Sequence, residues 1–282
     1  MNLGNLKFCI PGIALFFILS GCSQPADTVQ QSVTPGSISA ARDVDMHAVE
    51  KVDHLISSSE IVDKAYQKSV RECMVSRGYA VRDKYPGFEM RTVRQLVIPR
   101  ALSVQEARTY GYISTKEQAR REKGTRDIEL SENEENALTQ GIAGQEPCRY
   151  SAMNSVYGSS DTWEPYISLD SYIQPYVNAY LNSEDYYSLN KEWSQCMKGK
   201  SYDYPSPGAA IRSATNTKNT QELAIADTQC RESVKYEENL QNGLNAYMTT
   251  FLNDNQALLE RVAQAKKNAE ANAPKILDGA AS

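Results

Sequence analysis

The chain has 282 residues, with 30 lysines and arginines against 35 aspartates and glutamates, two histidines and a net charge of −5. That balance excludes the broad basic face that nucleic acid requires and argues against docking over anionic lipid head groups. The length suits one or two domains with a buried core; 17 tyrosines against 5 phenylalanines predict that part of this core is built from rings whose hydroxyls reach polar partners.

In chain order, residues 1–21 read as a signal peptide. Lys7 is followed by an apolar stretch from Phe8 to Leu19, too short for a membrane span, which needs roughly 20 residues. Leu19-Ser20-Gly21-Cys22 resembles the bacterial lipobox, which makes Cys22 the expected lipidation site. Its diacylglycerol and N-acyl chains suffice for stable anchoring, so the membrane is an expected partner through the lipid. Serine at position 23, rather than aspartate, points to an outer membrane, facing the periplasm, if the host has one; otherwise the place is the outer face of the cell membrane. Residues 22–40 are polar, carry Pro25, Pro35 and Gly36, and have no apolar period. They read as a flexible tether of roughly 20–25 Å root-mean-square span.

Helical signals dominate from there. Asp45–Leu55 and Ile61–Arg77 are amphipathic, separated by Ser57-Ser58-Ser59-Glu60, where Ser57 with Glu60 fits a capping box. Gly78 is the expected stop of the second helix. Ser103 with Glu106 and Ser131 with Glu134 are two more capping boxes, each opening a short helix; the charged stretch Lys116–Arg126 between them reads as solvated. Ser171–Lys198 reads as two helices broken near Asn182-Ser183, and Tyr202–Gly208 as a turn around Pro205 and Pro207. From Thr220 to Lys267 apolar residues recur at near-heptad spacing without proline. This predicts one long helix, on the order of 70 Å if unbroken, with Gly243 as its candidate bend. The expected fold is all-α: disulfide-stapled helical hairpins or a bundle with a long C-terminal helix. Residues 41–160 are expected to form its N-terminal helical part and 161–282 a C-terminal hairpin in which the long helix packs against the 171–198 pair, the alternative being that the long helix extends into an intermolecular coiled coil.

Once the signal is cut and Cys22 is lipidated, Cys73, Cys148, Cys196 and Cys230 remain. An even number in an exported chain implies disulfides. A weak internal repeat selects among the pairings. Cys73-Met74 precedes Gly78-Tyr79, Cys196-Met197 precedes Ser201-Tyr202, and each is followed later by Cys-Arg, at Cys148 and Cys230. The repeat predicts 73–148 and 196–230.

Several of these motifs occur together elsewhere. Trp193-Ser-Gln-Cys196-Met197, Tyr202-Asp-Tyr204-Pro205 and Ala224-Ile-Ala226-Asp227-Thr-Gln-Cys230, with Cys73-Met-Val-Ser-Arg-Gly78-Tyr79, Ala107-Arg-Thr-Tyr-Gly111-Tyr and Cys148-Arg upstream, resemble a family of uncharacterised exported bacterial proteins. Many of these are lipoproteins, and they are common in actinobacteria. The resemblance covers roughly residues 65–270 and departs at Lys200-Ser201, where a glycine is expected before the aromatic. It implies an exported, largely helical, disulfide-bonded fold and no established reaction.

Chemistry is sparse. His47 and His54 are the only histidines and stand seven apart, too far for one helix to chelate a metal and poorly placed for a Ser-His-Asp hydrolase. No metal site, catalytic residue or cofactor motif is expected. Asp161, Glu164 and Asp170 lie among Trp163, Tyr166 and Tyr172. The aromatics are the candidate binding residues, because such rings stack on sugar faces. The expectation is a non-enzymatic domain that binds an envelope protein or cell-wall glycan such as peptidoglycan. The alternative is a cell-wall-active hydrolase or lyase using carboxylates of the 161–170 stretch.

Overall fold

The computed structural model describes residues 38–87, 90–97, 102–112, 129–142, 144–214 and 220–279. The signal peptide, Cys22, most of the 22–40 tether and the Lys116–Arg126 stretch lie outside the described residues. Among those described there is no strand, one isolated bridge joins Ile142 to Gln145, and no helix is long and apolar enough to cross a membrane.

The first helix, α1 (Ala48–Ile56), turns Ala48, Val49, Val52 and Ile56 inward. Its own N-cap, His47, makes no side-chain cap. The cap comes instead from a helix some 200 residues downstream, α12 (Tyr236–Asp254). Asn245 Oδ1 accepts the Val49 N–H at 3.0 Å, Asn245 Nδ2 donates to the Met46 carbonyl at 2.7 Å, and Thr249 Oγ1 accepts the Asp45 N–H. The other end of α1 is closed by the last helix, α13 (Gln256–Leu277). Its Lys266 ammonium donates to the carbonyls of His54, Leu55 and Ser57. A short helix with orphaned ends is thus completed by the C-terminus of the chain.

The next helix, α2 (Glu60–Ser76), starts at Ser59, and the Ser57–Glu60 capping box does not form. Ser57 is the C-cap of α1, and its hydroxyl donates back to the His54 carbonyl. Ser57 is held in that role at its carbonyl by Lys266 of α13. The short helices α3 (Val93–Val97), α4 (Val104–Tyr110) and α5 (Glu132–Thr139) follow. Both predicted capping boxes on α4 and α5 are formed, with Ser103–Glu106 and Ser131–Glu134 bonded reciprocally. Helices α6 (Cys148–Tyr157) and α7 (Ser160–Ile167) lead into the predicted pair, α8 (Leu169–Leu181) and α9 (Glu184–Gly199), broken at Asn182-Ser183 as expected. Part of the expected 202–208 turn is helical: α10 spans Pro207–Ala214, with Pro207 at the first position, where its missing N–H costs nothing.

The C-terminal run is helical but not one helix. The helix α11 (Gln221–Ser233) ends where Lys235 takes a left-handed φ of 49°, and Asn255 separates α12 from α13. The Asn255 amide donates to the Phe251 carbonyl and to the Tyr176 hydroxyl. Gly243 is not a bend. It lies inside α12 where a Cβ would stand 2.3 Å from Tyr180 Cε2, so glycine here admits the Tyr180 ring.

Two helix groups result. In one, α2, α6 and α7 pack on α13, whose inward face is the small-residue stripe Val262, Ala265, Ala269, Ala273; Asn268 and Asn272 of α13 donate to the last carbonyls of α6, on Tyr157 and Val156. In the other, α8, α9 and α11 pack on α12, with α4 covering α11. The predicted bridges staple both: Cys73–Cys148 and Cys196–Cys230, each with Cα atoms 5.6 Å apart. The internal repeat extends to the backbone. Gly78 (φ 85°) and Ser201 (φ 68°) occupy the same left-handed turn. In each, the next tyrosine N–H reaches back to the methionine carbonyl, Tyr79 to Met74 and Tyr202 to Met197, the Schellman closure of a helix. At the position where glycine was expected, serine adopts the glycine conformation.

Glu134 gives a pH dependence. Arg82 grips its carboxylate through Nε and Nη2 at 2.9 and 3.0 Å, and Ser131 donates its N–H and hydroxyl. The Arg82 bonds first, and then the Ser131 backbone, hold the carboxyl down to about 2. Because the folded value lies below the ordinary glutamate value, the stabilisation is present above roughly pH 4.5 and is lost as pH falls toward about 2. Urea melts of Glu134→Gln, which keeps a capping acceptor but not the charge, should therefore show a deficit near neutrality that closes across that window.

Candidate functional site

Five helices surround a cleft of about 650 Å³, within the range of small-ligand sites. The end of α1 contributes Asp53, Ile56 and Ser57; the link to α2 and its first turn contribute Ser58 and Asp63; the segment leading into α3 contributes Met90, Arg91 and Thr92, and α3 itself Gln95. Met153 of α6 and Tyr166 and Ile167 of α7 form the remaining wall. The lining is therefore thioether and aliphatic within and hydroxyl, amide and charge at the edge. Asp53 is fixed by its bond to α3: Oδ1 accepts the Val93 N–H at 2.7 Å, capping that short helix from another element. Burial raises the Asp53 carboxyl above the usual aspartate range, against the lowering by the Val93 bond and by Arg94. Arg91 lies 4.0 Å from Asp170.

Behind Asp53 a line of charges runs inward. Arg94 pairs with Glu237; Glu237 Oε1 accepts from Arg231 Nη1 at 2.9 Å; Arg231 Nε donates to Asp227 Oδ1 at 2.8 Å. The indole N–H of Trp193 donates to the same Asp227 oxygen at 2.9 Å, and the Arg231 guanidinium sits 5.4 Å from the centre of the Tyr236 ring. Asp227 and Arg231 are 3% and 5% exposed. Tyr112 sits beside Asp227; burial, then that charge, pushes its hydroxyl up. Trp193, Asp227 and Cys230, conspicuous together in the sequence, thus hold α9 to α11 from inside.

The aromatic candidates divide. Trp163 is buried and its indole N–H donates to Asn154 Oδ1 at 2.7 Å. Tyr166 is also buried, stacked on Tyr157, with its hydroxyl donating to the Ile56 carbonyl at 3.1 Å. These two rings are core and cannot lie flat on a sugar, which corrects the expectation of an aromatic sugar platform; Tyr166 meets the cleft only as part of its wall. Tyr172 is half-buried against the core. Of the acids, Asp161 and Glu164 are exposed and Asp170 faces Arg91; none lines the cleft. His47 is exposed and its Nδ1 meets Glu50 at 3.2 Å. Among the described residues no group of three His, Cys, Asp or Glu side chains converges as a metal site. A second groove of about 600 Å³ lies over Cys73, but its cations are engaged, Lys68 by Glu72 and Arg77 by the carbonyls of Ala137 and Glu146.

The cleft residues Asp53, Met90, Arg91 and Gln95 were not visible beforehand. The 80–97 segment has neither helical nor strand period, and Asp53 reads as a polar position on an amphipathic helix. Compared with protein-family models, with curated proteins and with solved structures, the chain matches none.

Proposed function

We propose that this chain is an exported lipoprotein, held to an envelope membrane through Cys22, whose helical domain binds an envelope partner without chemistry. The observation that carries this reading is the pair of disulfides in a domain that follows a lipobox: bridges of this kind form and persist in oxidising compartments outside the cytosol. The motif resemblance to exported helical proteins supports the same place of work. The cleft supports the binding role, because its size and mixed lining suit a small group presented by a partner, and Asp53 spends one carboxylate oxygen on capping α3. Cys22→Ala tests the anchoring. The wild-type chain should fractionate with membranes and carry acyl mass at its N-terminus; the variant should leave the membrane fraction. Unchanged membrane fractionation would discard the lipoprotein reading.

A second reading rests on Asp53 and Asp63 sharing the cleft, with the Asp53 carboxyl raised by burial: a carboxylate-pair hydrolase acting on cell-wall polymer. Solubilisation of purified cell wall by the protein, abolished in Asp53→Asn, would favour it over binding alone.

A further inference from the structure

We propose that the cleft receives a lysine-type side chain of a peptide segment, its ammonium met by Asp53 and Asp63 and its aliphatic stem by Met90, Met153 and Ile167. This rests on the reading of the domain as a binder. The charge balance of the lining selects the sign: two carboxylates face one guanidinium, and Arg91 is itself drawn to Asp170. An anionic ligand would meet a net negative wall. Burial adds to the attraction, since a half-buried carboxylate has lost water that a cation can replace, and the raised Asp53 carboxyl expresses that loss. The apolar part of the lining selects the stem. Met90 and Met153 offer unbranched, adaptable thioether surface that conforms to a chain of methylenes, and Ile167 adds aliphatic surface beside them, whereas the buried Tyr166 ring leaves no flat face for a sugar. A bare divalent cation is a poorer occupant, because no third His, Cys, Asp or Glu joins the two aspartates among the described residues.

The test is a ligand-observed saturation-transfer titration of the full-length chain in detergent, with Nα-acetyl-lysine methylamide as probe and its Nε-acetylated form as the neutral control. The lysine probe should show saturable transfer and the Nε-acetylated form should not. Asp53→Asn keeps the acceptor for Val93, and Asp63→Asn alters an exposed position; each should weaken the probe at least tenfold, about 1.4 kcal/mol, with helical circular dichroism unchanged. Asp161→Asn, outside the cleft, should bind as the wild type does. Absence of saturable transfer, equal transfer to the Nε-acetylated probe, or undiminished affinity in both cleft variants would overturn the proposal. A chain that fails these arms yet remains membrane-bound through Cys22 refutes the lysine site alone. A chain that binds the probe but is not lipidated supports the site and refutes the anchor.

Discussion

Replacing Asp227 with alanine is expected to cost about 3–5 kcal/mol of folding stability, the range for stranding a buried charge. Asp227 Oδ1 is shared by the Arg231 guanidinium and the Trp193 indole N–H, in a site where both charged residues are nearly free of solvent. Its removal leaves the indole unpaired and one side of Arg231 uncompensated, with Glu237 remaining as an acceptor. Asp227→Asn keeps an acceptor and should lose less. The double variant Asp227→Leu with Arg231→Met should also lose less than Asp227→Ala, because no buried charge is stranded on that side and the volume is refilled. Urea unfolding of the three variants is the measurement. A loss below about 1 kcal/mol in Asp227→Ala would mean that water reaches Arg231 and that the charge line is not a structural element.

Loss of the bridge between α9 and α11 should be comparably severe. Cys230→Ser is expected to lower stability by about 2–5 kcal/mol. Part of this is chain entropy: the loop closed by Cys196–Cys230 spans 34 residues, for which the entropic estimate is about 3.8 kcal/mol. Part is local, because Cys230 is fully buried and serine would place a hydroxyl there. Cys73→Ser opens the 75-residue loop and should cost a similar amount, with about 4.5 kcal/mol as its entropic figure. Non-reducing peptide mapping of the wild type should yield 73–148 and 196–230 as the main linked peptides. Denaturant melts with reductant, which opens both bridges, should lose more than either single variant and about as much as the Cys73→Ser, Cys230→Ser double variant. A main product linking 73 to 196, or 148 to 230, would refute the pairing.

The sequence by itself determined the features whose cause is local or repeated. The capping boxes at Ser103 and Ser131 form because donor and acceptor are three residues apart and need no third party. The break at Asn182-Ser183 is fixed by Ser183, whose hydroxyl accepts the Tyr186 N–H. The disulfide pairing was readable because the Cys-Met and Cys-Arg motifs recur in the same order, and the structure gives both copies the same left-handed turn. The all-α class followed from apolar residues at helical spacing, and most of the C-terminal near-heptad set, such as Leu244, Met248, Phe251, Val262 and Ala265, is indeed core.

Tertiary structure decided whatever depends on residues far apart in the chain. The long helix divides at Lys235 and Asn255, because α11, α12 and α13 must each meet a different set of partners, and no helix-breaking residue marks either point. Tyr166 and Trp163 look like ligand platforms in one dimension and are core in three; the Tyr166 hydroxyl finds its partner on Ile56, 110 residues earlier. The ends of α1 are closed by Asn245 and Lys266, and the cleft joins α1, α2, α3, α6 and α7. Local hydrogen-bond geometry leaves a trace in neighbouring residues. A cap supplied from some 200 residues away, or a pocket assembled from five helices, leaves none, since its energy arises only when packing excludes water around the groups it brings together.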